Sequence, residues 1–150
     1  MKNLIYKEDG SLQPIKMELY ESSGPVSPLY QYIVHIKIHS TDKEIHLHYK
    51  NIGKNQEDGS KKNVQWNKVI SLNDYLGFIT KLIQNNVFSL NHDFIGDERR
   101  KKIGISFNFF ELTLGKETVK FQYLLQDKKQ PEFENYEKII NIVKNLNTEK

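Results

Sequence analysis

Cysteine is absent from the 150-residue sequence. That excludes disulfides, thiol nucleophiles, thiolate zinc sites and iron–sulfur clusters together, and it fits a reducing cytoplasm. Long apolar runs are missing as well. No stretch approaches the roughly 18 residues of a membrane span. At the N-terminus, Met1-Lys2-Asn3-Leu4-Ile5-Tyr6-Lys7-Glu8-Asp9 meets charge too soon for the apolar segment of about 7–15 residues that a signal peptide needs. A cytoplasmic protein without a membrane partner is therefore expected. Arginine is scarce: all but two of the 22 basic residues are lysine, the net charge is +3 and the pI is about 8.9. Dedicated nucleic-acid binders usually exceed a pI of about 9 with their cations on one face, and arginine is the better bidentate reader of phosphate and base. Composition thus argues against a nucleic-acid partner.

Catalytic signatures are equally sparse. Ser71, Ser89 and Ser106 lie in no G-x-S-x-G context. Gly53 and Gly59 sit in a polar segment without a phosphate-loop pattern. The carboxylates are scattered beside lysines, as on a solvated surface, and none is paired by spacing for acid–base work. The expectation is a protein that is not an enzyme and carries no cofactor. Arg99-Arg100-Lys101-Lys102 follows Asp97-Glu98 and reads as a solvated loop.

What is present is a globular balance, 37% hydrophobic and 27% charged, with eight Tyr and eight Phe to fill a core. After an arm over 1–14, a single α+β domain over 15–150 is expected. Ile15, Met17 and Leu19 alternate with Lys16, Glu18 and Tyr20, the period of a strand over 15–22. Ser22-Ser23-Gly24-Pro25-Val26-Ser27-Pro28 is a connector. A strand over 29–39 puts Tyr30, Tyr32, Val34, Ile36 and Ile38 on one face, and a third over 44–50 follows the turn Ser40–Lys43. A four-residue loop there pairs Ile38 with Ile45, Ile36 with Leu47 and Val34 with Tyr49. Residues 51–63 read as a long exposed loop. Ser71-Leu72-Asn73-Asp74 resembles a capping box for a helix over 72–86 with Leu72, Leu76, Ile79 and Ile83 inward. A hairpin over 103–114 and 118–126 turns at Gly115-Lys116 and opposes Phe110 to Phe121; its first strand needs a bulge near Phe109-Phe110 or cover on both faces. Pro131 opens a last helix with Phe133, Tyr136, Ile140, Val143 and Leu146 inward. The predicted order is β-β-β-α-β-β-α: an antiparallel sheet of about five strands with two helices on one face.

Two surface features can carry function. In the expected register His35 faces His48, with His46 and His39 on the same sheet face. Imidazoles at cross-strand distance can hold a divalent metal, so His35, His46 and His48 are the metal candidates, set against an ordinary polar sheet face. The second feature is the connector. Pro25 and Pro28 fix φ and Gly24 permits close backbone approach. Ser22, Ser23, Gly24, Pro25 and Val26 are therefore the candidate partner-binding residues, in a stiff loop that loses little entropy on docking.

Ser22-Ser23-Gly24-Pro25, the strand from Leu29, the helix from Ser71 and the stretch from Ile103 to Leu146 follow one another in a layout that resembles the emfourin-like family of small bacterial proteins. The namesake of that family inhibits thermolysin-like metallopeptidases. The resemblance implies a protein partner, in its sharpest form a peptidase entered by the 22–28 loop. The alternatives are a metal-binding histidine face, or a domain whose residues reveal no function.

Overall fold

The structure, a computed structural model, describes residues 4–22, 32–55, 61–90, 108–123 and 131–148. One antiparallel sheet of six strands runs in the order β4-β3-β2-β1-β5-β6. The strands are β1 (Ile15–Ser22), β2 (Ile33–Ser40), β3 (Ile45–Asn55), β4 (Lys61–Ile70), β5 (Asn108–Leu114) and β6 (Glu117–Tyr123). Helix α1 (Leu72–Gln84) lies between β4 and β5, and α2 (Glu134–Lys144) follows β6.

The expected five strands are six because β3 continues to Asn55 and is joined by β4 at the sheet edge. Residues 51–63 read as loop because they are polar. An edge strand is held by backbone hydrogen bonds and presents lysines and amides to solvent, so its side chains carry little apolar signal. Gly53, at φ 81°, lies where the β3–β4 register shifts between Ile52 and Asn55; the positive φ suits glycine at such an irregularity.

The alternation sorts side chains cleanly. Ile15, Met17 and Leu19 of β1, Val34, Ile36 and Ile38 of β2, Ile45, Leu47 and Tyr49 of β3, Phe110, Leu112 and Leu114 of β5, and Val119, Phe121 and Tyr123 of β6 are buried in one core with both helices. Among the described residues nothing is packed over the other face. The β2–β3 register differs from the expected one: Ile38 pairs with Leu47, Ile36 with Tyr49, and Ser40 with Ile45. The loop keeps four residues but moves one position along, to 41–44. There Thr41 N–H donates to the Glu44 carbonyl (2.8 Å) and Thr41 Oγ1 accepts from Glu44 N–H (3.2 Å). Displacing a whole loop by one residue shifts partners by two, so inward and outward faces are unchanged.

The β5–β6 hairpin has the expected Phe110–Phe121 and Glu111–Lys120 pairs, closed by Gly115 at φ 60°. No register shift occurs within Asn108–Leu114, so the described strand has no bulge at Phe109-Phe110; Ile103, Ile105 and Phe107 lie outside the described residues. Ser71 caps α1, its Oγ accepting from Asp74 N–H at 3.1 Å. The buried stripe of α1 is Tyr75, Phe78, Ile79 and Leu82, rotated from the expected one, and Leu72 is 52% exposed. The stripe with two rings carries more apolar area than the leucine one, and burial follows area. On the last helix Phe133, Ile140, Val143 and Leu146 are buried as expected, joined by Ile139, while Tyr136 is half-buried. In the arm, Lys7 N–H donates to Ser11 O (2.7 Å) and Gln13 N–H to Ile5 O (2.8 Å), folding residues 5–13 back on themselves. Gly115 N–H donates to Pro14 O at 2.9 Å, tying the end of the arm to the β5–β6 turn.

Candidate functional site

The period of β1 carries past Leu19 to Glu21, which therefore falls on the core face. It is 1% exposed. A carboxylate is very costly to bury unless donors replace its water, and three converge on it. Tyr123 OH, at the end of β6, donates to Oε1 at 2.7 Å. Tyr32 OH, just ahead of β2, donates to Oε2 at 2.8 Å. Lys144 Nζ, in the last turn of α2, donates to Oε2 at 2.7 Å. Burial, then the charge of Glu21, holds both phenols well above their usual range, and the carboxylate of Glu137 acts in the same direction. Both phenols therefore remain protonated donors. Beside them Ser22 N–H donates to Oδ1 of buried Asn108 at 2.8 Å, linking the end of β1 to the start of β5.

This cluster is the stem of the connector. Ser22 pairs with Ile33 across β1 and β2, and Glu21 and Tyr32 join across the base of the segment 23–31. Of the candidate binding residues, Ser22 ends β1; Ser23, Gly24, Pro25 and Val26 lie outside the described residues. Glu21 was not among the candidates, although its place in the β1 alternation is a legible signal: an acidic residue in a core phase demands partners.

The histidines occupy the open face. The displaced register sets His35 opposite Lys50, not His48, and His39 opposite His46. His35 Nε2 is paired with Glu18 Oε2 of β1 at 2.6 Å. The three candidates His35, His46 and His48 are thus not brought together. Instead His39 stacks on His46 (5.0 Å between centroids, 10° between planes) and on His48 (5.4 Å, 12°). His48 Nδ1 is bonded to Asn67 Oδ1 at 2.7 Å. Parallel rings turn their faces to one another, whereas metal ligation needs nitrogens converging on one point. Among the described residues no group of three or more His, Asp or Glu is arranged to hold a metal ion.

Partial desolvation, then the charges of His46 and His48, holds the His39 imidazole below its usual range. A histidine whose folded value is depressed binds fewer protons folded than unfolded, so its contribution is present above the unfolded value, about 6.5, and is lost as pH falls through it. The melting temperature is expected to decline between about pH 7.5 and pH 5.5, and His39→Gln to flatten part of that decline. An identical pH profile for His39→Gln in differential scanning fluorimetry contradicts the assignment.

No helix among the described residues is long and apolar enough to cross a membrane. No family model and no curated protein matches the sequence.

Proposed function

We propose that this chain is a non-catalytic protein-binding domain that makes its contact through the connector 22–28, in the sharpest form as a peptidase inhibitor. One observation supports the reading above the others. The segment 23–31, which contains most of the connector, is flanked by Glu21 and Tyr32, and these two are hydrogen-bonded to one another while Ser22 pairs with Ile33. Fixing the ends of a short, proline-containing segment removes entropy before binding, so less is lost when a partner closes on it. A merely connecting segment has no need of a buried ion pair at its base, which is a costly way to join two strands.

The experiment compares wild type with Gly24→Arg. Affinity capture from the native cell extract is followed by an assay of captured, thermolysin-like metallopeptidase activity, with circular dichroism as the folding control. The expected result is loss of a peptidase from the variant's partners, with inhibition abolished and an unchanged melting curve. Identical partners and identical inhibition for the two proteins contradict the proposal.

A further inference from the structure

A shallow groove of about 680 Å³ crosses the open sheet face from β1 to β4. Lys16, Lys37 and Lys50 line it together with His35, His39 and His48. Glu18 is the one carboxylate in its lining, and it is already engaged by His35. The whole chain is only mildly basic, but within the groove three lysines stand against one engaged acid among the described residues; the other carboxylates of the face, Glu111 and Glu44, are paired with Lys120 and His46. Composition averages over both layers of the fold and hides the difference.

The same face is lined with rings. His39 stands between His46 and His48 in a parallel stack. Tyr20 of β1 stacks on Phe109 of β5 at 6.0 Å and meets His35 of β2 edge-on at 5.5 Å. Rings therefore form two groups, Phe109–Tyr20–His35 over β5, β1 and β2, and His39–His46–His48 over β2 and β3, with Lys37 between them on β2. Four adjacent strands span three intervals of about 4.8 Å, or about 14 Å, the reach of two or three nucleotides.

We infer that the open sheet face binds single-stranded nucleic acid, with Lys16, Lys37 and Lys50 meeting backbone phosphates and the His39 stack receiving a base. Bases stack on rings without regard to sequence, and cations beside a ring-lined surface track the backbone. A duplex keeps its base faces internal and leaves these rings unused. An acidic peptide matches the lysines but gives the rings nothing to stack on. The inference concerns the face opposite the helices and is independent of the connector.

The test is fluorescence anisotropy on the full chain with a labelled oligouridylate of about twelve nucleotides at roughly 50 mM salt, beside the matching duplex and an oligoglutamate of similar length. Three phosphate contacts predict that log K falls with log salt at a slope of about −2, from about 0.7 per contact on single strands. Lys37→Glu, at an exposed position, is expected to weaken binding about tenfold and to shallow the slope by about 0.7. Lys16→Glu repeats the test at a second exposed site. Lys138→Glu on α2 makes the same change in net charge on the helical layer and is expected to leave binding within about twofold. His39→Ala is expected to weaken binding about tenfold with the slope unchanged. The inference is overturned by no saturable binding up to about 100 µM, the weak end of non-specific affinity. Equal binding of the duplex or the oligoglutamate, or equal loss in Lys37→Glu and Lys138→Glu, overturns it too.

Discussion

Glu21→Ala is expected to destabilise the protein by about 3–5 kcal/mol, the range for breaking a buried ion pair from one side. The carboxylate is 1% exposed and takes hydrogen bonds from Tyr123, Tyr32 and Lys144. Its removal takes an acceptor from the fully buried Tyr123 phenol and a partner from Lys144, whose side chain is 29% exposed, and leaves a void the size of the missing side chain. At about 2–4 °C per kcal/mol for a chain of this length, the melting temperature should fall by about 10 °C. Glu21→Gln keeps the volume and one acceptor oxygen, but puts an NH2 group that cannot accept where the other phenol or Lys144 donates and removes the negative charge; sparing the cavity, it should cost less than the alanine. Thermal melts of the two variants check the order. A loss below about 1 kcal/mol for Glu21→Ala, the level of an exposed ion pair, contradicts the burial argument.

Phe121→Ala should cost a similar amount by a different route. Phe121 is fully buried, with Phe110 at 5.3 Å, Tyr136 at 4.9 Å and Tyr123 at 6.1 Å between ring centroids. It joins the β5–β6 hairpin to α2. Large-to-small changes at such sites cost about 3–5 kcal/mol, combining lost transfer energy with the cavity left behind. Three aromatic walls cannot collapse into that space without leaving their rotamers, which places the expectation in the upper part of the range. Denaturant titration checks it: the midpoint should drop while the slope stays constant. A variant as stable as wild type means that the hairpin and α2 are not packed through this ring.

Much of the fold was legible because strand parity is robust. A period of two sorts Ile36, Ile38, Leu47 and Tyr49 inward whichever residues form the turn, so the expected faces held although the β2–β3 partners moved by two. The partners themselves depended on Thr41, whose hydroxyl closes the turn, and that preference is not visible in a hydrophobic pattern. β4 was illegible for a related reason: an edge strand is specified by its neighbour's backbone, and its apolar anchors are few, Ile70 in the core and the half-buried Val64 and Trp66, the latter stacked on Tyr49 at 5.2 Å. Helix α1 was placed correctly but rotated, since Leu72 and Tyr75 lie on neighbouring stripes and only packing chooses between them.

The candidate sites divide in the same way. The histidine face was found, because alternation alone puts His35, His39, His46 and His48 on one side. Which imidazoles meet depended on register, and the stack centres on His39. The prolines and glycine single out the connector, of which residues 23–28 lie outside the described residues. Its fastening is not legible in the same way, because the partners of Glu21 lie 11, 102 and 123 residues away in sequence, and no local pattern brings them together.

The claim on which the functional reading rests is that Glu21 ties together the two residues that flank the segment 23–31, itself and Tyr32. Amide hydrogen exchange in wild type and Glu21→Gln measures it directly. If the account is right, the amides of Ser22, Ile33 and Val34 exchange about tenfold faster in the variant, a local opening, while those of Leu47 and Tyr49 in β3 keep their wild-type rates. Equal acceleration across all five amides, or none at Ser22 and Ile33, contradicts it.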